Sequence, residues 1–233
     1  MMKFRNCSII LVLLAFWIPL NVCSGQQYTR IHADFSVKVR TATGGQSLTM
    51  GQVFYDRNIK QIIYYLTFPD RETWVTADTV VYQIKDGKLI SKTSSFSMAE
   101  FSVFHLALNS HLQDFGLKNT RYIARDVQRE GNLVITSWSP PQKARESLGE
   151  ILVSVKDKKL FGVVFQDPKG TIIRKQFFED YKIIGGLAFP GKIIEINISN
   201  GIESYQVTTY KNVTVDEMEN DNRYYYNTSG LRL

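Results

Sequence analysis

The class of fold is decided by residues 48–84, which read LTMGQVFYDRNIKQIIYYLTFPDRETWVTADTVVYQI. This stretch contains four short apolar runs, at 48–55, 62–68, 74–77 and 80–84. Polar residues separate the runs, as Asp56-Arg57-Asn58 does after the first one. Short runs rich in β-branched and aromatic residues, bounded by turn residues, are typical of strands joined by hairpins. The stretch therefore predicts an antiparallel meander.

The same pattern continues on both sides of this stretch. Upstream, Phe35, Val37 and Val39 alternate with polar residues, as in a strand with one buried face. Downstream, Asp86-Gly87 and Asn200-Gly201 favour tight turns between strands. Further apolar runs follow at 121–128, 133–138, 149–155, 160–166, 171–181, 191–198 and 204–213. The pattern predicts roughly ten strands, in a strongly curved sheet, an open or closed barrel, or a sandwich.

One segment departs from the strand pattern. Ser97 and Glu100 have the spacing of a capping box, which begins a helix. Four apolar residues then fall on one helical face: Phe101, Phe104, Leu108 and Leu112. Gly116 is suited to the C-terminus of that helix. The spacing predicts a single amphipathic helix of about four turns in the middle of the chain.

Two of the predicted strands are apolar on both faces. They are Ile62–Phe68, which reads IIYYLTF, and Leu160–Phe165, which reads LFGVVF. One interpretation is burial of both faces in a packed core. The other is that one face lines an apolar cavity that the helix covers. A closed sheet needs no helix to fill it, whereas a curved, open sheet does.

The beginning of the chain has the composition of a signal peptide. Lys3 and Arg5 precede an apolar run, Ile9–Leu20, which is too short to cross a membrane. Small and polar residues follow the run. We therefore assign residues 1–25 to a signal peptide and predict export to the periplasm.

Both cysteines, Cys7 and Cys23, lie in this leader. The processed chain would have no disulfide, which in an oxidising compartment indicates a core large enough to be stable alone. We assign residues 26–233 to one β domain. Lipid modification of Cys23, which would tether the protein to a membrane, is the alternative to simple cleavage. The formal net charge of +6 is spread without a long basic run, so no nucleic-acid partner is expected.

The sequence has none of the motifs that mark common catalytic or phosphate-binding sites. His105 and His111 are about 240° apart on a helix, so they do not converge on one metal. The acidic residues between Asp216 and Asp221 lack the glycine and alternating oxygen ligands of a calcium loop, which favours a solvated surface segment. We predict no enzyme activity, no metal and no cofactor.

Several segments resemble one known family. Ile31–Val39 is similar to its opening strand and Gly51–Arg57 to its glycine-to-arginine strand. Phe68–Val75 and Asp78–Tyr82 are similar to its next two strands. Asp167–Ile172 and Phe189–Gly191 are similar to its closing strands. In order, spacing and predicted export, the chain resembles the periplasmic outer-membrane lipoprotein carriers, the LolA-like family.

This resemblance implies a fold and a function. The fold is mainly β, a curved antiparallel sheet that forms an incomplete, half-open barrel covered by an amphipathic lid helix, as in LolA-like and LolB-like proteins. The function is that of a monomeric periplasmic carrier, which shields the acyl chains of lipoproteins or other lipids for transfer toward the outer membrane. Its partners would be inner-membrane release proteins and outer-membrane receptor proteins. Residues 200–233 extend past the usual end of that family's proteins.

The candidate ligand-binding residues follow from the apolar pattern and the resemblance. On the sheet they are Phe54, Ile62, Tyr64, Leu66, Phe68 and Trp74, with Ile63 and Tyr65 as alternatives because the inward-facing parity is open. On the lid they are Phe101, Phe104, Leu108 and Leu112. Arg57 matches the family's functional arginine, which helps hold the lid over the cavity. The alternative function is a non-catalytic structural or interaction module of the cell envelope, with Tyr224-Tyr225-Tyr226 as a docking strip.

Overall fold

The computed structural model describes residues 27–94 and 101–232. Within these residues, one antiparallel sheet contains thirteen strands. The strands are β1 (Arg30–Arg40), β2 (Gln46–Asp56), β3 (Gln61–Phe68), β4 (Glu72–Ala77), β5 (Val80–Lys85), β6 (Lys88–Ser94), β7 (Ile123–Glu130), β8 (Leu133–Ser139), β9 (Ile151–Lys156), β10 (Lys159–Gln166), β11 (Ile172–Ile184), β12 (Leu187–Ser199) and β13 (Ile202–Val215). One α-helix, α1 (Val103–Leu108), and three short 3₁₀ turns accompany them. The predicted signal peptide and the predicted capping box, Ser97 and Glu100, lie outside the described residues.

The strand order shows how the sheet is assembled. It runs β6-β5-β4-β3-β2-β1-β13-β12-β11-β10-β9-β8-β7, so almost every strand pairs with its neighbour in sequence. Two meanders, β1 to β6 and β7 to β13, are joined side by side through the pairing of β1 with β13. Strands β6 and β7 form the two edges of the sheet, and the segment that contains α1 connects them in sequence. The predicted curved, open antiparallel sheet is confirmed.

The strand count exceeds the predicted number of roughly ten. Strand β6 reads KLISKTS and has only one buried side chain, Leu89, so its apolar pattern is weak, as is common for a strand at a sheet edge. Strands β11 and β12 run longer than predicted, because their ladder continues through Tyr181 opposite Pro190 to Ile184 opposite Leu187.

The α-helix is much shorter than the predicted four turns, so that prediction was wrong. It begins after Ser102, whose hydroxyl accepts a hydrogen bond from the His105 amide at 3.2 Å. It ends at Leu108, where Ser110 adopts a left-handed conformation with φ of 59°. The amides of Ser110 and His111 then donate to the carbonyls of Ala107 and Leu106, at 3.1 and 2.8 Å. This pair of bonds is a Schellman motif, which stops a helix by satisfying its last carbonyls.

The remaining predicted helical residues are buried without being helical. Leu112 packs into the core from the turn that follows α1 and is 9% exposed. Gly116 is not a helix C-cap; it precedes the 3₁₀ turn Leu117–Asn119 with φ of 72°. The apolar spacing therefore identified the buried residues correctly, but several tight turns satisfy that spacing as well as a continuous helix does.

The sheet is buried on two faces. We call the face toward α1 the inner face and the opposite one the outer face. The main core lies on the inner face and includes Phe35, Tyr55, Phe104, Phe189 and Tyr210. A second cluster, formed by Ile63, Val75, Ile84 and Leu89, lies apart from it on the outer face. Strand Ile62–Phe68 therefore contributes buried side chains to both faces, as its apolar pattern predicted.

The outer face of β1 to β3 is covered by the C-terminal residues 216–232, which we call the strap. Tyr224 in the strap is fully buried, and its ring meets that of Phe54 edge-on with centroids 5.2 Å apart. The Gln61 side chain both donates to and accepts from the backbone of Tyr226, at 3.1 and 3.0 Å. The predicted extension, residues 200–233, therefore has two parts. Its first part is β13, a central strand of the sheet, and its second part is the strap, which comes after the last strand.

Candidate functional site: an inner cavity

A cavity of about 280 Å³ lies between the inner face of the sheet and the segment that begins at Phe101; we call it the inner cavity. Side chains from strands of both meanders line it. Its apolar lining consists of Ile62, Tyr64, Val81, Phe101, Val103, Phe104, Phe115, Phe178, Ile193 and Tyr210, and its polar lining of Thr76, Ser102, Gln176, Glu195, Gln206 and Thr208. We call residues 101–115 the lid segment.

The lid segment is held to the sheet by aromatic contacts. Phe104 is 1% exposed, and its ring lies 5.4 Å from that of Tyr210 and 5.9 Å from that of Phe189, between centroids. The Tyr55 hydroxyl and His105 Nδ1 are 2.6 Å apart, a hydrogen bond whose donor depends on the imidazole tautomer. These contacts fix α1 over the centre of the sheet.

The even-numbered residues of β3 face the cavity. Ile62 and Tyr64 line it, and Leu66 belongs to the same core cluster. Trp74 packs against that cluster from β4, and its indole N–H donates to Glu72 Oε2 at 2.8 Å. Of the six predicted sheet residues, two therefore line the cavity, and Leu66 and Trp74 lie in the core beside it. The alternatives Ile63 and Tyr65 belong to the outer-face cluster.

The remaining two predicted sheet residues lie away from the cavity and from the inner-face core. Phe54 is fully buried on the outer face, stacked on His32 with ring centroids 4.3 Å apart and covered by Tyr224. Its neighbour Tyr55 faces inward instead, because successive side chains of a strand point to opposite faces. Phe68 is 47% exposed and lies opposite Met50, beyond a bulge that interrupts the β2–β3 ladder.

The four predicted lid residues divide into two pairs. Phe101 and Phe104 line the cavity, whereas Leu108 and Leu112 are buried in the surrounding core. Arg57 lies in the turn between β2 and β3, where its amide donates to the Thr29 carbonyl at 2.8 Å. Its role in holding the lid stays a prediction.

A row of polar side chains on the inner face was not found from the sequence. Gln176, Glu195 and Gln206 lie directly opposite one another on β11, β12 and β13, and we call them the polar row. Gln176 Nε2 donates to Glu195 Oε2 at 2.5 Å, and Asn197 Nδ2 donates to Glu195 Oε1 at 2.9 Å. The sequence did contain a signal for this row. The hairpin turns at Gly185-Gly186 and Asn200-Gly201 set the pairing of the three strands, and this pairing places the three residues opposite one another.

The cavity's tyrosines stay uncharged. Burial raises the pKa of Tyr64 to about 12, and burial together with the nearby Tyr64 raises that of Tyr210 well above its ordinary value. Both therefore present neutral hydroxyls at any physiological pH. Within residues 27–94 and 101–232, no group of histidine, cysteine, aspartate and glutamate side chains is arranged to hold a metal ion. No helix in that same part of the chain has the length and apolarity needed to span a membrane.

The fold has counterparts among solved structures, although no family model and no curated protein matches the sequence. A LolA superfamily protein from Nitrosomonas europaea superposes with a TM-score of 0.57 at 10% identity, covering 85% of this chain and 91% of that one. A DUF1329 family protein from Desulfovibrio piger gives 0.58 at 11% identity, covering 85% and 90%. A domain described as an outer membrane lipoprotein-sorting protein, from Vibrio parahaemolyticus, gives 0.56 at 11% identity, covering 84% and 89%. The open, curved sheet of this chain is thus a LolA-like fold, and the predicted resemblance is confirmed for the fold.

Proposed function

We propose that this chain is a periplasmic carrier that binds the acyl chains of lipoproteins or other lipids in the inner cavity. The observation that carries the proposal is a cavity with ten apolar and six polar lining residues between an open sheet and the lid segment. One solved structure with this fold is described as a lipoprotein-sorting domain, which supports the same role. Transfer would proceed toward the outer membrane, without catalysis.

The free energy of burial is sufficient for capture. Each buried methylene contributes about 0.8 kcal/mol, so a 16-carbon chain gains roughly 10 kcal/mol before ordering costs. The inner cavity of about 280 Å³ is small beside the roughly 300–1,000 Å³ of typical ligand pockets. A long acyl chain therefore requires the lid segment to move outward, and return of the lid would drive release.

The cellular setting of the proposal has two further parts. Residues 1–25 would direct export, with lipid modification of Cys23 as the alternative to simple cleavage. Inner-membrane release proteins and outer-membrane receptor proteins would load and unload the carrier. Arg57 would take part in holding the lid segment closed, since a guanidinium has five donors for backbone carbonyls or acidic groups at a cavity mouth.

Mass spectrometry of the chain purified from a bacterial host tests carriage. We expect acyl-bearing lipid to co-purify with the native protein at about one per chain and to be recovered by organic extraction. Phe101→Lys should abolish this, because it places a charge in the apolar cavity lining. Ile183→Lys is the matched control, since Ile183 is 63% exposed and should leave lipid content unchanged. A lipid-free native mass, with no uptake of added lipoprotein, would contradict carriage.

The alternative function is a structural or interaction module of the cell envelope. The packing around Phe104 favours it, because that ring is 1% exposed and surrounded by other aromatic rings. The suggested docking strip is smaller than predicted, since Tyr224 is fully buried and Tyr225 is 54% exposed.

A further inference from the structure

The polarity of the inner face changes in a regular way along three neighbouring strands. Next to α1, Phe178 lies opposite Ile193, which lies opposite Thr208. The polar row comes next, two residues along each strand. Beyond it, Arg174 lies opposite Asn197, and Asn197 is exposed. The inner cavity is therefore mainly apolar under the lid segment, where Thr208 is the polar member of its row, and wholly polar at the next row toward the side where the sheet meets solvent.

The orientation of one amide in the polar row is determined by its neighbour. Glu195, as a carboxylate, only accepts hydrogen bonds, so the Gln176 amide must present its Nε2 to it, as the 2.5 Å contact shows. Gln176 Oε1 consequently points away from Glu195. This oxygen is buried and has no hydrogen-bond partner among residues 27–94 and 101–232.

A buried acceptor without a partner is costly, and a ligand that supplies a donor removes the cost. The Glu195 oxygens are each already occupied by one donor, from Gln176 and Asn197. An additional anion at this row would meet the Glu195 charge, whereas a neutral N–H or O–H group would not. The row is therefore suited to an uncharged donor and unsuited to a free carboxylate.

We propose that the polar row recognises the uncharged hydrogen-bond-donating head of an amphiphile, an amide or a hydroxyl, whose acyl chain lies in the apolar end of the inner cavity. This inference rests on the proposed carrier function and adds to it a ligand class and a direction of entry. Gln176 accepts from the head, and Glu195 holds Gln176 in the accepting orientation.

Displacement of Nile red by two ligands of equal chain length tests the inference. Decanamide has amide N–H donors, whereas N,N-dimethyldecanamide has the same carbonyl and chain but no donor. In the unaltered protein we expect decanamide to bind roughly tenfold more tightly, the effect of satisfying one buried acceptor. Gln176→Met, which keeps the side-chain length and removes the acceptor, should bring the two affinities together.

Two further variants make the result decisive. Glu195→Gln leaves the Gln176 amide free to turn, so the preference for decanamide should fall even if Gln176→Met folds poorly. Gln128→Met makes the same chemical change on the exposed strand β7 and should keep the preference. Equal binding of both ligands by the unaltered protein, or an unchanged preference in Gln176→Met and Glu195→Gln, would overturn the inference alone. Failure of Nile red and both ligands to bind would overturn the carrier function with it.

Discussion

At the scale of single residues, Phe101 and Phe104 separate the two candidate functions. Both rings line the inner cavity, but Phe101 is half-buried, whereas Phe104 is 1% exposed among Tyr55, Phe189 and Tyr210. A ring at the border of a cavity has fewer neighbours to lose than a ring inside a packed cluster. The same lid segment thus contains one residue of the core and one residue of the site.

Truncating each ring to alanine should show this difference. We expect Phe104→Ala to lower the free energy of unfolding by roughly 3–5 kcal/mol, because it leaves a void among rings that cannot collapse into it. Phe101→Ala should cost clearly less and reduce lipid content. Urea unfolding with lipid analysis measures both. Equal, large losses of stability with no lipid in either protein would favour the structural module.

At the scale of elements, polar contacts near β1 attach the first part of the strap to the outer face. The Asp216 carboxylate accepts from the amide and hydroxyl of Thr29, at 2.7 and 2.9 Å, and from the Arg30 amide at 3.0 Å. Arg30 Nε donates to Asp56 at 2.6 Å, and its guanidinium also pairs with Asp221. Glu217 Oε2 lies 3.1 Å from His32 Nδ1. Three of the acidic residues expected to be a solvated segment, Asp216, Glu217 and Asp221, thus contact β1 or the residue before it, whereas Glu219 is exposed as predicted.

The attachment of the strap should weaken in acid. Burial alone would raise the pKa of Asp216, but the hydrogen bonds from Thr29 and Arg30 outweigh it, so the pKa is lowered. The bond from the Thr214 hydroxyl likewise lowers the pKa of Glu217. A carboxyl group whose pKa is lower in the folded state stabilises the fold at pH values above its unfolded-state pKa. This stabilisation is lost as the pH falls through the folded-state pKa. The pH range in which the attachment of the strap weakens therefore lies below the ordinary carboxyl pKa of about 4.

Hydrogen exchange of the Thr29 and Arg30 amides, corrected for intrinsic rates, measures this effect. Their protection should be constant from neutral pH down to about pH 5 and should fall below about pH 4. Asp216→Asn should show weaker protection at neutral pH and little further loss in acid, since it has no charge to titrate. The same acid-induced loss in Asp216→Asn would show that other groups control the attachment.

At the scale of the whole molecule, β13 is the strand that unites the two meanders. It pairs with β1 on one side and with β12 on the other, and β1 also pairs with β2. The sheet is therefore continuous only when the C-terminal strand is in place. The strap, in contrast, follows the sheet and covers side chains such as Phe54 on its outer face.

Two truncations should distinguish these roles. Removing residues 202–233 should prevent folding, because it deletes the strand that joins the halves. Removing only residues 216–233 should keep the β-rich far-ultraviolet spectrum but lower stability, by roughly 1.5–3 kcal/mol for each large apolar side chain uncovered. Circular dichroism with thermal unfolding compares both with the full chain. If the chain that lacks residues 202–233 kept the cooperative thermal transition of the full chain, one meander would fold alone.

The sequence by itself determined the strands, most of their turns and the residues to be buried. Alternating polarity and turn dipeptides are local properties, so runs such as Phe35 to Val39 and the turn at Asp86-Gly87 could be read without knowledge of the rest of the chain. The buried positions Phe104, Leu108 and Leu112 were predicted correctly for the same reason. The apolar spacing identified these three residues as buried, but it did not predict the length of the helix.

Only the tertiary structure decided which face each residue occupies and how the ends of the chain are used. Strand parity is fixed by what covers each face, so Phe54 beneath the strap and Tyr55 beneath α1 could not be told apart in a strand that is apolar on both sides. The helix stops at Leu108 because the left-handed turn at Ser110 lets the amides of Ser110 and His111 satisfy its last carbonyls. The polar row exists only once three distant strands are in register, because pairing across strands, not proximity in sequence, places Gln176, Glu195 and Gln206 together.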